Sequence, residues 1–187
     1  MNISGRKIIL RAIEETDLNL LHKWANDVEL QSIIGNIHFP SSMLFHKEWL
    51  KKIQNDTLNQ RFAIIVPHVG LIGLSTLMNI NWRNNRAWHG IMIGNVDVRG
   101  RGYGYDAVMA TMRYAFDELH FERLDTQMIE YNIKSIEFYC NKLGWKKEGV
   151  QRRWYFTKGR YWDRIICGIT HQDYSELLER THYWTHK

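Results

Sequence analysis

The chain contains little cysteine and little proline, with 2 residues of each among 187. The two cysteines, Cys140 and Cys167, cannot form a disulfide framework, and their spacing does not match a zinc site. We therefore expect both to be small buried side chains. A hydrophobic content of 44% with so few prolines also argues against a disordered or low-complexity chain.

Long apolar runs are absent as well. The first residues, MNISGRKIILRAIEE, hold no stretch long enough for a signal peptide, and no later segment is long and apolar enough to cross a bilayer. We therefore expect a soluble, cytoplasmic protein that has no membrane partner.

The chain also lacks a dense stripe of one charge. Its formal net charge is +5 and its pI is near 9.2, with the basic residues spread along the sequence. This mild excess does not predict a nucleic-acid partner. It suits a small ligand that carries phosphate, and it is equally typical of a solvated surface.

The hydrophobic pattern predicts one mixed α/β domain of the α+β type over residues 1–187, without a repeat or linker. Strands come both in runs and singly between helices, so we expect a central sheet of about seven strands with antiparallel and parallel pairs, flanked by helices. A helix is predicted over residues 40–53, with Leu44, Phe45, Trp49 and Ile53 facing inward.

Three alternating glycines follow the apolar run IMIGNVDV, in the segment RGRGYG at residues 99–104. A strand that leads through glycines into a helix can present backbone N–H groups to an anion. The segment lacks the Gly-Lys-Ser/Thr ending of a nucleoside triphosphate loop, and its third glycine comes one residue early for a dinucleotide fingerprint. A plain structural turn remains the alternative.

Two linked motifs resemble the GNAT acyltransferase superfamily. Residues 99–104 resemble its R/Q-x-x-G-x-G/A signature for the pyrophosphate of acetyl-coenzyme A (acetyl-CoA), and NIKSIEFYCNKLGW at residues 132–145 resembles its second hallmark. The sequence is most similar to the branch of ribosomal-protein N-terminal, spermidine and amino-sugar acetyltransferases. The resemblance implies a sheet splayed between the fourth and fifth strands. It also implies an acetyl-CoA-dependent N-acetyltransferase that works by direct transfer in a ternary complex.

The resemblance assigns cofactor-binding roles to three segments. Backbone groups of Met92, Ile93 and Gly94 would pair with the pantetheine arm, and one amide there would stabilise the oxyanion. The residues expected to hold the pyrophosphate are Arg99, Gly100, Arg101, Gly102, Tyr103 and Gly104. Asn132 and Ser135 would hold the arm from the opposite wall.

The catalytic roles follow from what amide formation requires. Tyr139 is the predicted general acid for the departing thiolate, and the alternative is an ordinary core tyrosine. His89 takes the place of the glutamate that many relatives carry and is one candidate base. Glu130, at the end of the next strand, is the other. The alternative to a catalytic role for His89 is an ordinary hydrogen-bonded histidine in a strand. The alternative for Glu130 is a solvated residue at a strand end.

The acceptor is predicted to be a primary amine on a small molecule or peptide. A nucleotide-linked amino sugar and a protein N-terminus are the leading hypotheses, whereas the absence of an acidic cluster counts against a polyamine. A catalytically idle CoA-binding module is a further alternative, and the glycine spacing disfavours a nicotinamide oxidoreductase. The histidines form no metal-binding pattern, so no metal is expected. Since dimers are common in similar families, the resemblance also allows a homodimer.

Overall fold

One sheet of eight strands organises the part of the chain that the structure describes, residues 1–35 and 39–184 of a computed structural model. The strands are β1 Ile3–Ser4, β2 Ile9–Arg11, β3 Gln60–Val66, β4 Gly70–Asn81, β5 Arg86–Ile93, β6 Arg123–Ile129, β7 Lys146–Thr157 and β8 Arg160–Thr170. Their order is β1-β2-β3-β4-β5-β6-β8-β7. Within these described ranges, β5 and β6 form the only parallel pair.

The predicted mixed sheet is confirmed. It has one strand more than expected because the two-residue β1 also pairs with β2. The predicted fourth and fifth strands are therefore β5 and β6.

Helices cover both faces of the sheet. They are α1 Leu18–Ala25, α2 Val28–Ile34, α3 Met43–Ile53, α4 Tyr103–Arg113, α5 Ile133–Glu137 and α6 His171–Thr181. Short 3-10 turns span Glu15–Asp17 and Val96–Val98. Helices α4 and α5 each continue into a π-helical turn, at Tyr114–Glu118 and Phe138–Lys142.

Side-chain alternation along the strands separates the two faces. Ile64 and Ile72 pack with Ala107 of α4, whereas their neighbours Ala63 and Leu71 pack with the residues of α1–α3. The α4 face also carries the largest buried cluster, which includes residues from α4, the turn after α5, and α6. Helices α4, α5 and α6 therefore lie on one face, and α1–α3 lie on the other.

Local end signals fix several helices. The Ser42 side chain accepts a hydrogen bond from the N–H of Phe45 and begins α3, and Thr170 and Asp173 form a capping box at the start of α6. The predicted inward face of α3 is wrong at its first turn, because Leu44 is 68% exposed and Phe45 is 58% exposed. His46 and Leu50 are buried instead.

The two cysteines lie side by side without being bonded. Their Sγ atoms are 3.4 Å apart, Cys167 is buried and Cys140 is half-buried. No helix in residues 1–35 and 39–184 has the length and hydropathy to cross a membrane.

Candidate active site

A fork between β5 and β6 forms the centre of the site. The two strands pair only over Arg86–Trp88 and Arg123–Asp125, although β5 continues to Ile93 and β6 to Ile129. The paired residues begin both strands, and the strands run in the same direction. They therefore separate toward their carboxyl ends. The gap has backbone groups of β5 on one side and of β6 on the other.

Ion pairs hold the closed end of the fork. Asp125 is 5% exposed and accepts a hydrogen bond of 2.7 Å from Nε of Arg123. Arg86 approaches the other oxygen of Asp125 at 3.5 Å, and Arg123 also contacts Glu148. These hydrogen bonds, the one to Glu148 most of all, raise the pKa of Arg123 despite its partial burial. The carboxylate thus links the first residues of both strands.

The Tyr139 hydroxyl lies where the strands begin to separate. It shares a hydrogen bond of 3.0 Å with Nδ1 of His89, the first β5 residue beyond the paired stretch. Thr126, at the equivalent point of β6, also hydrogen-bonds the Tyr139 side chain. Tyr139 is 2% exposed and lies in the π-helical turn after α5, a rare conformation that often marks functional sites. Burial raises its pKa, so the phenol keeps its proton at neutral pH.

A chain of buried polar groups supports that hydroxyl. Nε2 of His89 is 3.4 Å from the Ser75 hydroxyl, which lies 2.8 Å from the Thr111 hydroxyl. Thr111 in turn donates to the carbonyl of Ala107 in α4. Every member of this chain is uncharged at neutral pH, and each has a partner.

The surroundings of His89 do not suit a base that works near neutral pH. His89 is 4% exposed, and burial lowers its pKa to about 3. It shares one strand face with Ile91 and Ile93, as the alternation predicts, but that face packs toward α4. The imidazole is therefore neutral and only weakly basic.

The carboxyl end of β5 bends away from β4 at Gly94. The amides of Gly94 and Asn95 both donate to the carbonyl of Ile72, at 2.9 and 3.1 Å, as in a β-bulge. A Cβ atom on Gly94 would lie 2.1 Å from the ring of Trp24, so this position requires glycine.

Backbone groups of the three predicted β5 residues face different ways, and the Gly94 amide is already bonded to Ile72 of β4. The Met92 carbonyl faces β4, since it would lie 2.0 Å from a Cβ atom on Gly73. The Ile93 carbonyl faces the other way and accepts two hydrogen bonds from Arg99, at 2.6 and 3.1 Å. Arg99 thereby fastens the glycine loop to the end of β5.

Beyond Arg99, the glycine loop begins α4 with its backbone exposed. Gly100 and Gly102 have φ values of 80° and 84°, a left-handed conformation that favours glycine. Gly102 begins the helix without a side-chain cap, so the first N–H groups of α4 have no partner within the helix. Arg101 is exposed, and its carbonyl contacts Nζ of Lys7 at 3.4 Å. Tyr103 packs partly against the neighbouring core.

Asp106, in the first turn of α4, was missed by the sequence analysis. Its fully buried carboxylate accepts hydrogen bonds of 2.6–3.0 Å from the N–H groups of Arg6, Lys7 and Ile8, and one of 2.7 Å from the Tyr183 hydroxyl. It ties the N-terminal segment to the start of α4 and thus holds the glycine loop in place. An acidic residue in a helix's first turn was its only local signal.

Asn132 and Ser135 form the cap of α5 on the other side of the gap. The Asn132 side chain accepts from the N–H of Ser135 at 3.2 Å and donates to the carbonyl of Ile33 at 3.2 Å. Glu130 is exposed at the end of β6, where its carboxylate accepts the N–H of Asp163 at 3.1 Å. The structure thus brings Tyr139 and His89 together and places Glu130 at the open end of the fork.

The family is settled by a match over most of the chain. A family model described as acetyltransferase (GNAT) domain matches residues 7–146. The chain belongs to the GNAT acetyltransferase family. It is an acetyl-CoA-dependent N-acetyltransferase, and acetyl-CoA is its co-substrate.

Relatives of this GNAT acetyltransferase cover nearly its full length. It is 27% identical over 172 residues to the SPbeta prophage-derived uncharacterized N-acetyltransferase YokL of Bacillus subtilis, covering 91% of this chain and 94% of that protein. It is 26% identical over 157 residues to the spermidine N(1)-acetyltransferase of Vibrio cholerae, covering 84% and 89%.

The fold is similar to that of a solved enzyme. The structure of spermidine N-acetyltransferase from Vibrio cholerae in complex with CoA and spermine superimposes with a TM-score of 0.84 at 25% identity. The match covers 90% of this chain and 98% of that one.

The residues present fit the co-substrate of the GNAT acetyltransferases. A Cβ atom on Gly100 would meet nothing within 4 Å, and the nearest atom to one on Gly104 is in Ile93 at 3.7 Å. Open space and N–H groups that have no partner within the helix suit a pyrophosphate. Within residues 1–35 and 39–184, no group of three His, Cys, Asp or Glu side chains could hold a metal ion.

Proposed function

We propose that the chain moves the acetyl group of acetyl-CoA directly to a primary amine while both substrates are bound. The observation that carries this proposal is the Tyr139 hydroxyl at the point where β5 and β6 diverge. An arm lying in that gap would bring its thioester to a buried proton donor. The departing thiolate would take the phenolic proton.

The co-substrate would lie along the gap and over the start of α4. The exposed N–H groups of the glycine loop and the Arg101 side chain would meet the pyrophosphate. Arg99 would act chiefly by holding the loop, because its guanidinium is bonded to the Ile93 carbonyl. Asn132 and Ser135 would form the opposite wall.

His89 would position Tyr139 rather than act as the base. A neutral imidazole between the Tyr139 and Ser75 hydroxyls fixes the direction of the phenol. Glu130 is the remaining candidate base, since it is exposed at the open end of the fork. It would take the amine proton directly or through a water molecule.

The amine could belong to one of three classes. A nucleotide-linked amino sugar suits the aromatic and arginine content of residues 81–88. A protein N-terminus is the second candidate, although a basic enzyme gains nothing electrostatically from a basic peptide. The alternative is a polyamine, which is supported by the similarity to the spermidine acetyltransferase of Vibrio cholerae. We further propose a cytoplasmic enzyme, able to form a homodimer, that has no nucleic-acid or membrane partner.

Thiol release from acetyl-CoA across a panel of amines tests the proposal. The panel holds spermidine, peptides beginning with Ala or Ser, a lysine peptide, an aminoglycoside and nucleotide-linked amino sugars. For an active amine, initial rates measured while both substrates vary should give intersecting double-reciprocal lines. Parallel lines would contradict direct transfer. Acetyl-CoA binding without turnover on any amine would favour an idle CoA-binding module.

A further inference from the structure

The open end of the fork continues into the hairpin formed by β7 and β8. Arg164 of β8 pairs with Ile129, the last residue of β6, and with Gln151 of β7. Ile165 and Cys167 belong to the cluster on the α4 face. Arg164 alternates with them and therefore lies on the opposite face, where α1–α3 pack.

Two buried polar atoms on these neighbouring strands have no partner among the described residues. They are Nε of Arg164, a donor, and Oε1 of Gln151, an acceptor. Leaving such groups unpaired is costly, and native proteins rarely do so without a functional reason. Because both atoms are shielded from solvent, a shift of these two side chains toward the groove would let a ligand with an oxygen acceptor and an N–H or O–H donor satisfy both.

The guanidinium is held in place beside an open groove. The Cζ atom of Arg164 lies 3.7 Å from the ring centroid of Trp154. Trp154 and Gln151 line a groove of about 700 Å³ together with Arg152, Arg153 and Asp163, and Arg164 lies next to this lining through its contact with Trp154. The groove exists because the pairing shifts between Gln151 and Tyr155, which leaves residues 152–154 bulged opposite Asp163.

Among the described residues, Arg164 lies near two carboxylates but forms an ion pair with neither. The two nearby carboxylates are already bonded to the backbone, Asp163 to the N–H of Arg153 and Glu130 to the N–H of Asp163. Within residues 1–35 and 39–184, no carboxylate forms an ion pair with Arg164. The other basic residues of the hairpin are Lys146, Lys147, Arg152, Arg153, Lys158 and Arg160.

We propose that the acceptor is an amine whose scaffold carries a carboxylate or phosphate, and that Arg164 binds this anion. This inference rests on the proposed function, because it assigns the acceptor to the α1–α3 side of the same fork. Glu130 would face the amine while Arg164 faces the anion. A polyamine carries only positive charge and would leave Arg164 unpaired.

Matched acceptors test the proposal. A nucleotide-linked amino sugar is compared with the free amino sugar, and an Ala-starting peptide with a free carboxylate is compared with its amide. Thiol release is measured for the wild type, Arg164→Gln, Arg164→Lys and the control Arg160→Gln, which changes a cation of the same hairpin. Melting temperature and acetyl-CoA affinity establish that each variant is folded.

We expect Arg164→Gln to raise KM for the anionic acceptor about tenfold or more, and Arg164→Lys to recover part of the loss. In Arg164→Gln, KM for the acceptors that lack the anion should change little. In Arg160→Gln, KM should change little for every acceptor. Turnover of the amino-sugar pair would identify the anion as a phosphate, and turnover of the peptide pair would identify it as a carboxylate. Equal losses for the charged and neutral acceptors, or a wild-type preference for spermidine, would overturn the assignment.

Binding by calorimetry separates failure of this inference from failure of the proposed function. The probes are uridine diphosphate and acetate, added to enzyme that is saturated with CoA. Binding of one probe that Arg164→Gln weakens would support the site, and binding that the variant leaves unchanged would overturn it. Absence of acetyl-CoA binding would contradict the proposed function instead.

Discussion

The fork and the β7–β8 hairpin hold their polar groups in opposite ways. At the fork, His89, Ser75 and Thr111 are buried, neutral and bonded to one another behind Tyr139. On the hairpin, arginines lie over aromatic rings, and Trp154 and Tyr161 are half-exposed. The neutral, bonded side chains hold the Tyr139 hydroxyl in one position, whereas the proposed role of the charged hairpin is to bind the anion of the acceptor through Arg164.

The free-energy cost of a substitution should therefore differ between the fork and the hairpin. Removing a member of a buried network leaves a partner unsatisfied in a medium of low dielectric constant. Removing an exposed cation loses a contact that water can replace. Substitutions at the fork should therefore have larger effects than substitutions on the hairpin surface.

The largest effect is expected from Tyr139→Phe. The ring stays and the proton donor is lost, so kcat should fall by about 10²- to 10⁴-fold while acetyl-CoA affinity changes by less than about threefold. Steady-state thiol release and equilibrium binding measure the two quantities. The control is Tyr174→Phe, which removes another buried hydroxyl, one that accepts from Trp184. A fall in affinity as large as the fall in kcat would make Tyr139 a structural residue.

Asp106→Ala should cause the next largest change, on the scaffold behind the fork. The backbone N–H groups of residues 6–8 lose their acceptor, which should lower the free energy of unfolding by about 3 kcal/mol. Urea unfolding measures this quantity, with exposed Glu118→Ala as the control. A loss no greater than that of the control would contradict the anchoring role.

His89 should make stability depend on pH. The unfolded chain binds a proton at this residue near pH 6.5, whereas the folded pKa is about 3, so protonation favours the unfolded state between these values. Stability should fall by about 2 kcal/mol between pH 7 and pH 5 through this group alone. Urea unfolding at both values should show that decrease in the wild type, and a smaller one in His89→Gln. Identical pH slopes would mean that His89 titrates normally.

Arg160→Gln should have the smallest effect. Its guanidinium lies 3.5 Å from the ring centroid of Trp162 on the exposed hairpin, and such a contact contributes about 0.5–1 kcal/mol. Thermal or urea unfolding should show a loss within that range. A loss above about 2 kcal/mol would show that the hairpin depends on its stacked cations as strongly as the fork depends on its buried hydrogen bonds.

Local signals predicted the elements that depend on neighbouring residues. The turn through the glycines before α4 is set by backbone preferences within a few positions. The alternation of β5 likewise predicted which residues share a face. It could not predict that this face packs against α4.

Long-range contacts account for what the sequence did not predict. Asp106 binds partners about one hundred residues away. The burial of His89 depends on Tyr139 in the π-helical turn after α5 and on Trp145, just before β7. The first turn of α3 presents Leu44 outward because its other face packs against α1 and the sheet. The proposed Arg164 site depends on the shift in β7–β8 pairing between Gln151 and Tyr155, which no pattern in the sequence predicted.

Hydrogen exchange upon binding of acetyl-CoA tests the central claim most directly, because the fork and the hairpin are assigned to different substrates. The account predicts slower exchange at residues 89–95 and 102–106, with residues 150–165 unchanged. Slower exchange in residues 150–165 without any change at the fork would contradict it.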